Sequence, residues 1–447
     1  MYGHTYVPVM AFRFGGSTNV YYVVCGIFHF TALLAGQSNT RYSIDERWRA
    51  AFYYHVSNKM TTIYNSADAA CCSILFCKLC LKAKVMATGL VVIPYDDVVA
   101  PTSSPDLLHK LEQAFGPSGL GIIGIQNVPE FVTVKQSLLP LSHSLAHLPA
   151  HELEALEDPS SMYNAGWSHG KEKLKADVPD FAKGSFYFNP IADVPGTADD
   201  RATYPVSYPC NKWPTTSLPQ LEPVAKQMGR ILQDVAIHLS KHIDAYAHSK
   251  VPTYAPTTLY DTLQNTEKVK GRLLYYYPLS SELQSSSEDS WIGWHNDSGF
   301  LTALAGDLYV DHTTGTPVAD IPKEAGLYVV DRIHPSRTVK VDLPSDCMAI
   351  QIGECTQILT GGAVVATPHC VRGVCSHNIA RASLACFIDT PPTFPLSIPR
   401  DCAVESMLQE SSTTRVPPLS KRWIPNQTFG TFLQTTFQMY YHWNNES

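Results

Sequence analysis

From Leu90 onward the apolar residues of this chain fall mostly into short runs parted by turn formers, and in three places they keep a helical period instead. Leu107, Leu108, Leu111, Ala114 and Phe115 form the first stripe. Val224, Met228, Ile231, Leu232, Val235, Leu239 and Ile243 form the clearest one and predict a helix from Leu221 to Ile243. Pro223 fits its first turn, where a backbone donor has no partner to lose. Phe429, Phe432, Leu433, Phe437 and Tyr440 predict a last amphipathic helix. The short runs Leu90–Pro94, Gly121–Ile125, Arg272–Tyr277, Phe300–Ala305, Gly326–Val330, Thr338–Val341, Met348–Ile352, Ala363–Thr367 and Ala382–Ile388 read as strands. So many short strands between turn signals predict an α+β, mainly β, fold built on a sandwich or barrel. Residues 158–215, rich in Pro, Gly and aromatics, read as long ordered loops.

The first 85 residues do not share this rhythm. Val20–Ala35 is almost wholly apolar, broken by His29, and a little short for a membrane span. An uncleaved anchor, a signal-peptide core and a buried segment are all open readings, and only the first implies membrane association through residues 20–35. Arg13 is the one clear cation ahead of the run and no small-residue cleavage site follows it, so the flanks do not choose among these readings; a cytoplasmic protein is the default expectation. Met86, just before the first regular strand, is an alternative start of translation.

Composition narrows the partners. Of 447 residues, 45% are hydrophobic and 16% charged, which suits a globular protein with a substantial core. A net charge of −7 without a Lys/Arg run gives no footprint for nucleic acid. The 12 cysteines are scattered, as reduced, buried small hydrophobes are. Cys77-Lys-Leu-Cys80 has metal-ligand spacing, but no second pair follows at zinc-ribbon distance.

The chemistry gathers in the second half. In Trp294-His295-Asn296-Asp297, residues two apart share a face of an extended strand, so His295 and Asp297 can grip one ion together. One more imidazole would complete the two-His, one-carboxylate face that suits iron(II). His369, after the Gly361-Gly362 turn and the apolar run Ala363–Thr367, is favoured for that place over His377, which sits in a more polar stretch. Arg381 and Ser383, again two apart, lie in an apolar strand. An Arg there is costly to bury without an anion, met either by a bound carboxylate or by a structural salt bridge to an Asp or Glu of the chain itself.

Trp294–Leu304, Ile350–Glu354, Ala366–His369 and Arg381–Ser383 resemble, in order and spacing, the isopenicillin N synthase-like 2-oxoglutarate- and iron(II)-dependent dioxygenases. The likeness spans roughly 90 to 395. The resemblance implies a double-stranded β-helix (jelly-roll) core with flanking helices. It implies that His295, Asp297 and His369 hold Fe(II), that Arg381 and Ser383 bind the distal carboxylate of 2-oxoglutarate, and that Tyr277 touches this co-substrate. It implies use of O2, with ascorbate as a candidate reductant, and oxidation of a small-molecule substrate with release of succinate and carbon dioxide. Tyr163, Trp167, Phe186 and Tyr187 are candidate walls of the substrate pocket or ordinary packing. Tyr275 stands where the family commonly has Asn, and Cys370 where an Arg often follows the second His. The chain then divides into an extension (1–85), an N-terminal dioxygenase region (86–215) and a catalytic β-helix region with a C-terminal helix (216–447). Two other readings stay open: an iron oxidase that needs no 2-oxoglutarate, and a catalytically silent barrel serving as a binding module.

Overall fold

The computed structural model describes residues 89–171, 178–279, 291–373, 378–408 and 415–446, and the backbone of strands at 9–13, 20–26, 29–34 and 173–175. The chain divides into two compact units, Met1–Ala87 and Thr88–Ser447. In the first, β1 (Val9–Arg13), β2 (Val20–Gly26) and β3 (His29–Leu34) pair antiparallel in that order. The apolar run Val20–Ala35 is therefore two paired strands rather than one continuous segment. Among the described residues no helix is long and apolar enough to cross a membrane. Cys77 and Cys80 lie outside the described residues.

The second unit contains two sheets that carry the site. Its strands are β4 (Val91–Pro94), β5 (Ile122–Gln126), β6 (Gly166–His169), β7 (Lys173–Lys175), β8 (Val178–Pro179), β9 (Lys183–Phe188), β10 (Val269–Tyr276), β11 (Ile292–His295), β12 (Leu301–Asp311), β13 (Gly326–Val330), β14 (Thr338–Lys340), β15 (Met348–Ile352), β16 (His369–Arg372) and β17 (Ile379–Ile388). The major sheet runs β4-β5-β15-β12-β17-β10-β9-β6 and the minor one β11-β16-β13-β14. Strands from before and after residue 215 share the major sheet. Side chains of both sheets meet in two apolar clusters, one with Leu274, Tyr276, Tyr309, Trp291 and Val371, the other with Ile122, Ala349, Val329 and Val341. This is the double-stranded β-helix with flanking helices.

The principal helices are α1 (Pro105–Phe115), α2 (Phe131–Ala146), α3 (Leu221–Lys250), α4 (Glu354–Leu359) and α5 (Phe429–Glu446). The stripe of α3, including Leu232, Val235 and Leu239, packs with Ala382, Leu384, Cys386 and Ile388 of β17 in the main core. Strand side chains alternate, so Arg381 and Ser383 face the opposite way, into the space between the sheets.

Two expectations need correction. Residues 158–215 are not loops throughout, since they supply β6 and β9. Lys183–Phe188 is buried on both faces, so it lacks the alternation that would have marked it as a strand. Ala363–Thr367 is no strand. Its run is apolar because it is buried, and its backbone bonds elsewhere: Val365 N donates to Phe115 O at 2.9 Å and Ala366 N to Gln357 Oε1 at 2.9 Å. The preceding Gly361 and Gly362, at φ 65° and 83°, do make the predicted turn. The helix α2, with Pro140 inside it, is an element that the apolar pattern did not predict.

Candidate metal centre

His295 closes β11 and His369 opens β16, and the two are cross-strand partners. Such partners stand side by side on one face, which puts the ring centroids 4.2 Å apart. Each ring is pinned by its far nitrogen. His295 Nδ1 donates to Gly293 O at 2.8 Å and His369 Nδ1 to Thr367 O at 3.2 Å. A proton on Nδ1 leaves the Nε2 lone pair free to ligate. Asp297 lies two residues beyond the strand end, where its backbone carbonyl accepts from Glu354 N at 2.8 Å. Its Oδ1 stands 4.0 Å from His295 Nε2 and 3.8 Å from His369 Nε2, too far for hydrogen bonds.

The three ligand atoms lie within 4.8 Å of one another, and no other such group of His, Cys, Asp or Glu occurs among the described residues. Asp297 and His369 are buried, and the buried Oδ2 of Asp297 has no hydrogen-bond partner. Burial, with His369 close by, pushes the His295 imidazole down to about 4, so it is neutral over the ordinary pH range. Two imidazoles and a carboxyl group on one face are a fitting donor set for iron(II). The rival His377 lies outside the described residues.

Arg381 is 4% exposed, with its guanidinium carbon 4.7 Å from the centre of the Tyr276 ring. Its Nη2 donates to the carboxylate of Asp307, while Nε and Nη1 are buried without a partner. Ser383, opposite Asp307 across the strands, donates to Gly306 O at 3.1 Å. Tyr277 is not brought to this group. Tyr276 is the cross-strand neighbour of Arg381, and a one-residue offset along an extended strand sends the next ring to the other face. Tyr277 packs there against His169, Tyr275 and His312, at centroid distances of 4.8, 5.1 and 5.8 Å. Three consecutive tyrosines gave no sequence signal for the phase of the strand. Of the four aromatics named for the pocket, Trp167 and Phe186 belong to the main core, Tyr163 is partly exposed, and Tyr187 lies under the Arg272 guanidinium.

No family model matches the chain. It is 22% identical over 293 residues to a 2-oxoglutarate-dependent dioxygenase of Gibberella zeae, covering 63% of this chain and 68% of the relative. Among solved structures, a protein assigned to the 2OG-Fe(II) oxygenase family of Caulobacter crescentus superposes with a TM-score of 0.56 at 16% identity, covering 79% of this chain and 99% of that one. A full-length Neurospora crassa protein in complex with alpha-KG gives a TM-score of 0.53 at 16% identity, covering 79% and 98%. JOX2 in complex with 2OG, Fe and JA gives 0.53 at 17%, covering 78% and 85%. In fold the chain is similar to the 2OG-Fe(II) oxygenases, and in sequence to a 2-oxoglutarate-dependent dioxygenase.

Proposed function

We propose that the protein is a 2-oxoglutarate- and iron(II)-dependent dioxygenase that hydroxylates a small organic molecule, releasing succinate and carbon dioxide. The observation that carries this reading is the convergence of His295 Nε2, Asp297 Oδ1 and His369 Nε2 on one point, with both rings locked from behind. Iron(II) bound there, with 2-oxoglutarate and O2, would supply the oxidising chemistry. The chain's own part is to hold the metal on one face, orient the co-substrate and keep water out. Arg381 has two buried donors to spare, Nε and Nη1, and these suit the distal carboxylate of 2-oxoglutarate. Ser383 would turn its hydroxyl from Gly306 O to the same carboxylate, exchanging one hydrogen bond for another. Tyr276 takes the neighbouring place first given to Tyr277. Solved relatives bind small molecules of this kind: the Neurospora crassa protein was captured with alpha-KG and thymine, JOX2 with 2OG, Fe and JA.

The Arg381–Asp307 pair favours a second reading, an iron oxidase that ignores 2-oxoglutarate, because part of the guanidinium is already satisfied within the chain. One experiment separates the two. The full chain, reconstituted anaerobically with iron(II), is exposed to O2 and a metabolite library with and without 2-oxoglutarate. The proposal expects succinate only when 2-oxoglutarate is present, and none from Asp297→Ala. Undiminished turnover by Asp297→Ala would sink it, and substrate oxidation without 2-oxoglutarate would favour the oxidase.

A further inference from the structure

Behind the metal centre lies a buried polar network that no part of the proposed reaction uses. Asn296, between His295 and Asp297, donates through Nδ2 to Glu354 Oε1 at 2.8 Å, and its backbone N–H donates to the Tyr440 hydroxyl at 3.0 Å. The backbone N–H of Glu354 donates in turn to the carbonyl of Asp297 at 2.8 Å. The turn that carries the carboxylate ligand is thus tied at three points to α4 and α5.

The anchor is an ion pair with almost no access to solvent. Arg422 Nη1 and Nη2 reach Glu354 Oε2 and Oε1 at 2.6 and 2.5 Å, with side-chain exposures of 0% and 1%. Arg422 also donates to Pro417 O at 3.1 and 3.0 Å, and to the Thr436 hydroxyl of α5 at 3.3 Å. Desolvating two charges costs as much as their attraction returns, and apolar residues of similar volume often serve stability equally well. What such a pair provides, when its members are hydrogen-bonded, is a single fixed geometry. Here that geometry is delivered to the residue between two ligands.

We propose that Asn296, Glu354 and Tyr440 are positioning residues of the metal centre, so that the C-terminal helix α5 acts as a brace for the His295–Asp297 turn. This inference rests on the reading of His295, Asp297 and His369 as iron ligands.

The test is anaerobic calorimetric titration of the full chain with iron(II), at a temperature where each metal-free variant is shown to be folded by its denaturation curve. Tyr440→Phe removes the acceptor for Asn296 N–H, and Asn296→Ala removes the amide link to Glu354. Each is expected to weaken iron(II) binding by about 10- to 100-fold, the usual cost of losing an outer partner of a ligand. Thr428→Ala removes a hydrogen bond from Thr431 N–H at 3.3 Å at the start of the same helix, away from the turn and its anchor, and should bind iron(II) like the wild type. The brace is overturned if Tyr440→Phe and Asn296→Ala bind as tightly as the wild type. It is equally overturned if Thr428→Ala weakens binding as much as they do, since the network would then act only through general stability. A wild-type protein that binds no iron(II) contradicts the ligand assignment itself, a different failure from either of these.

Discussion

Arg381 meets one of the two kinds of partner that its sequence context allows, an acidic residue of the chain itself. Asp307 takes one edge of the guanidinium, and Nε and Nη1 stay buried and unpaired. A buried donor left unmade costs about 1–3 kcal/mol, so two of them suit the carboxylate partner proposed for this side chain. His242 is buried differently, with every polar atom used: its Nε2 donates to Val98 O at 3.0 Å, and its Nδ1 accepts from the Ser103 hydroxyl at 2.7 Å. Burial pushes this imidazole below its ordinary value. The folded ring therefore holds a proton more weakly than the unfolded one. Its contribution to stability is complete above the unfolded value of about 6.5 and is lost as pH falls below it. For a single group this loss is no steeper than about 1.4 kcal/mol per pH unit. Denaturant midpoints for the wild type and His242→Gln, followed downward from about pH 7.5 to 5.5 across that unfolded value, should show a shallower decline in the variant. Parallel declines would mean that the ring carries none of it.

The long helix α3 shows how an element is fixed by what it lies against. Its apolar stripe was plain in the sequence, and the helix runs on to Lys250 because Tyr246 and Ala247 extend the buried face. Gly229 sits on that face, where a Cβ would come within 2.3 Å of Pro190 Cβ. Alanine is the better helix former by about 1 kcal/mol, while overpacking of this kind costs about 1–3 kcal/mol. Gly229→Ala should therefore lower the denaturant midpoint, and a raised midpoint would show that Pro190 gives way easily. The elements that sequence reading missed have a common cause. β9 and Ala363–Thr367 are buried all round, and in such runs apolar character reports burial without reporting conformation. The three side chains that converge on one point were legible, because a histidine two places from an aspartate with a second histidine downstream is a pattern of chemical types. The phase of Tyr275-Tyr276-Tyr277 was not legible, since strand register depends on pairing with β17. Asp307 and Arg422 carried no signal of their own, and Glu354 and Tyr440 stood out only within a family-like run and a helical stripe, because their roles arise only when distant segments meet.

Taken as a whole, the second unit brings two imidazoles and a carboxyl group from separate stretches within 4.8 Å of one another. β11 and β16 of the minor sheet supply the imidazoles, and the turn after β11 supplies the carboxylate. β17 of the major sheet supplies the guanidinium. Helices α4 and α5 close on the turn from outside the barrel. The central claim is that this arrangement exists to hold one metal ion. Anomalous diffraction at the iron edge, from crystals grown anaerobically with iron(II), tests it most directly. The account predicts a single peak bonded to His295 Nε2, the Asp297 carboxylate and His369 Nε2. A fully iron-loaded crystal with its peak elsewhere, or with none at these three side chains, would contradict it.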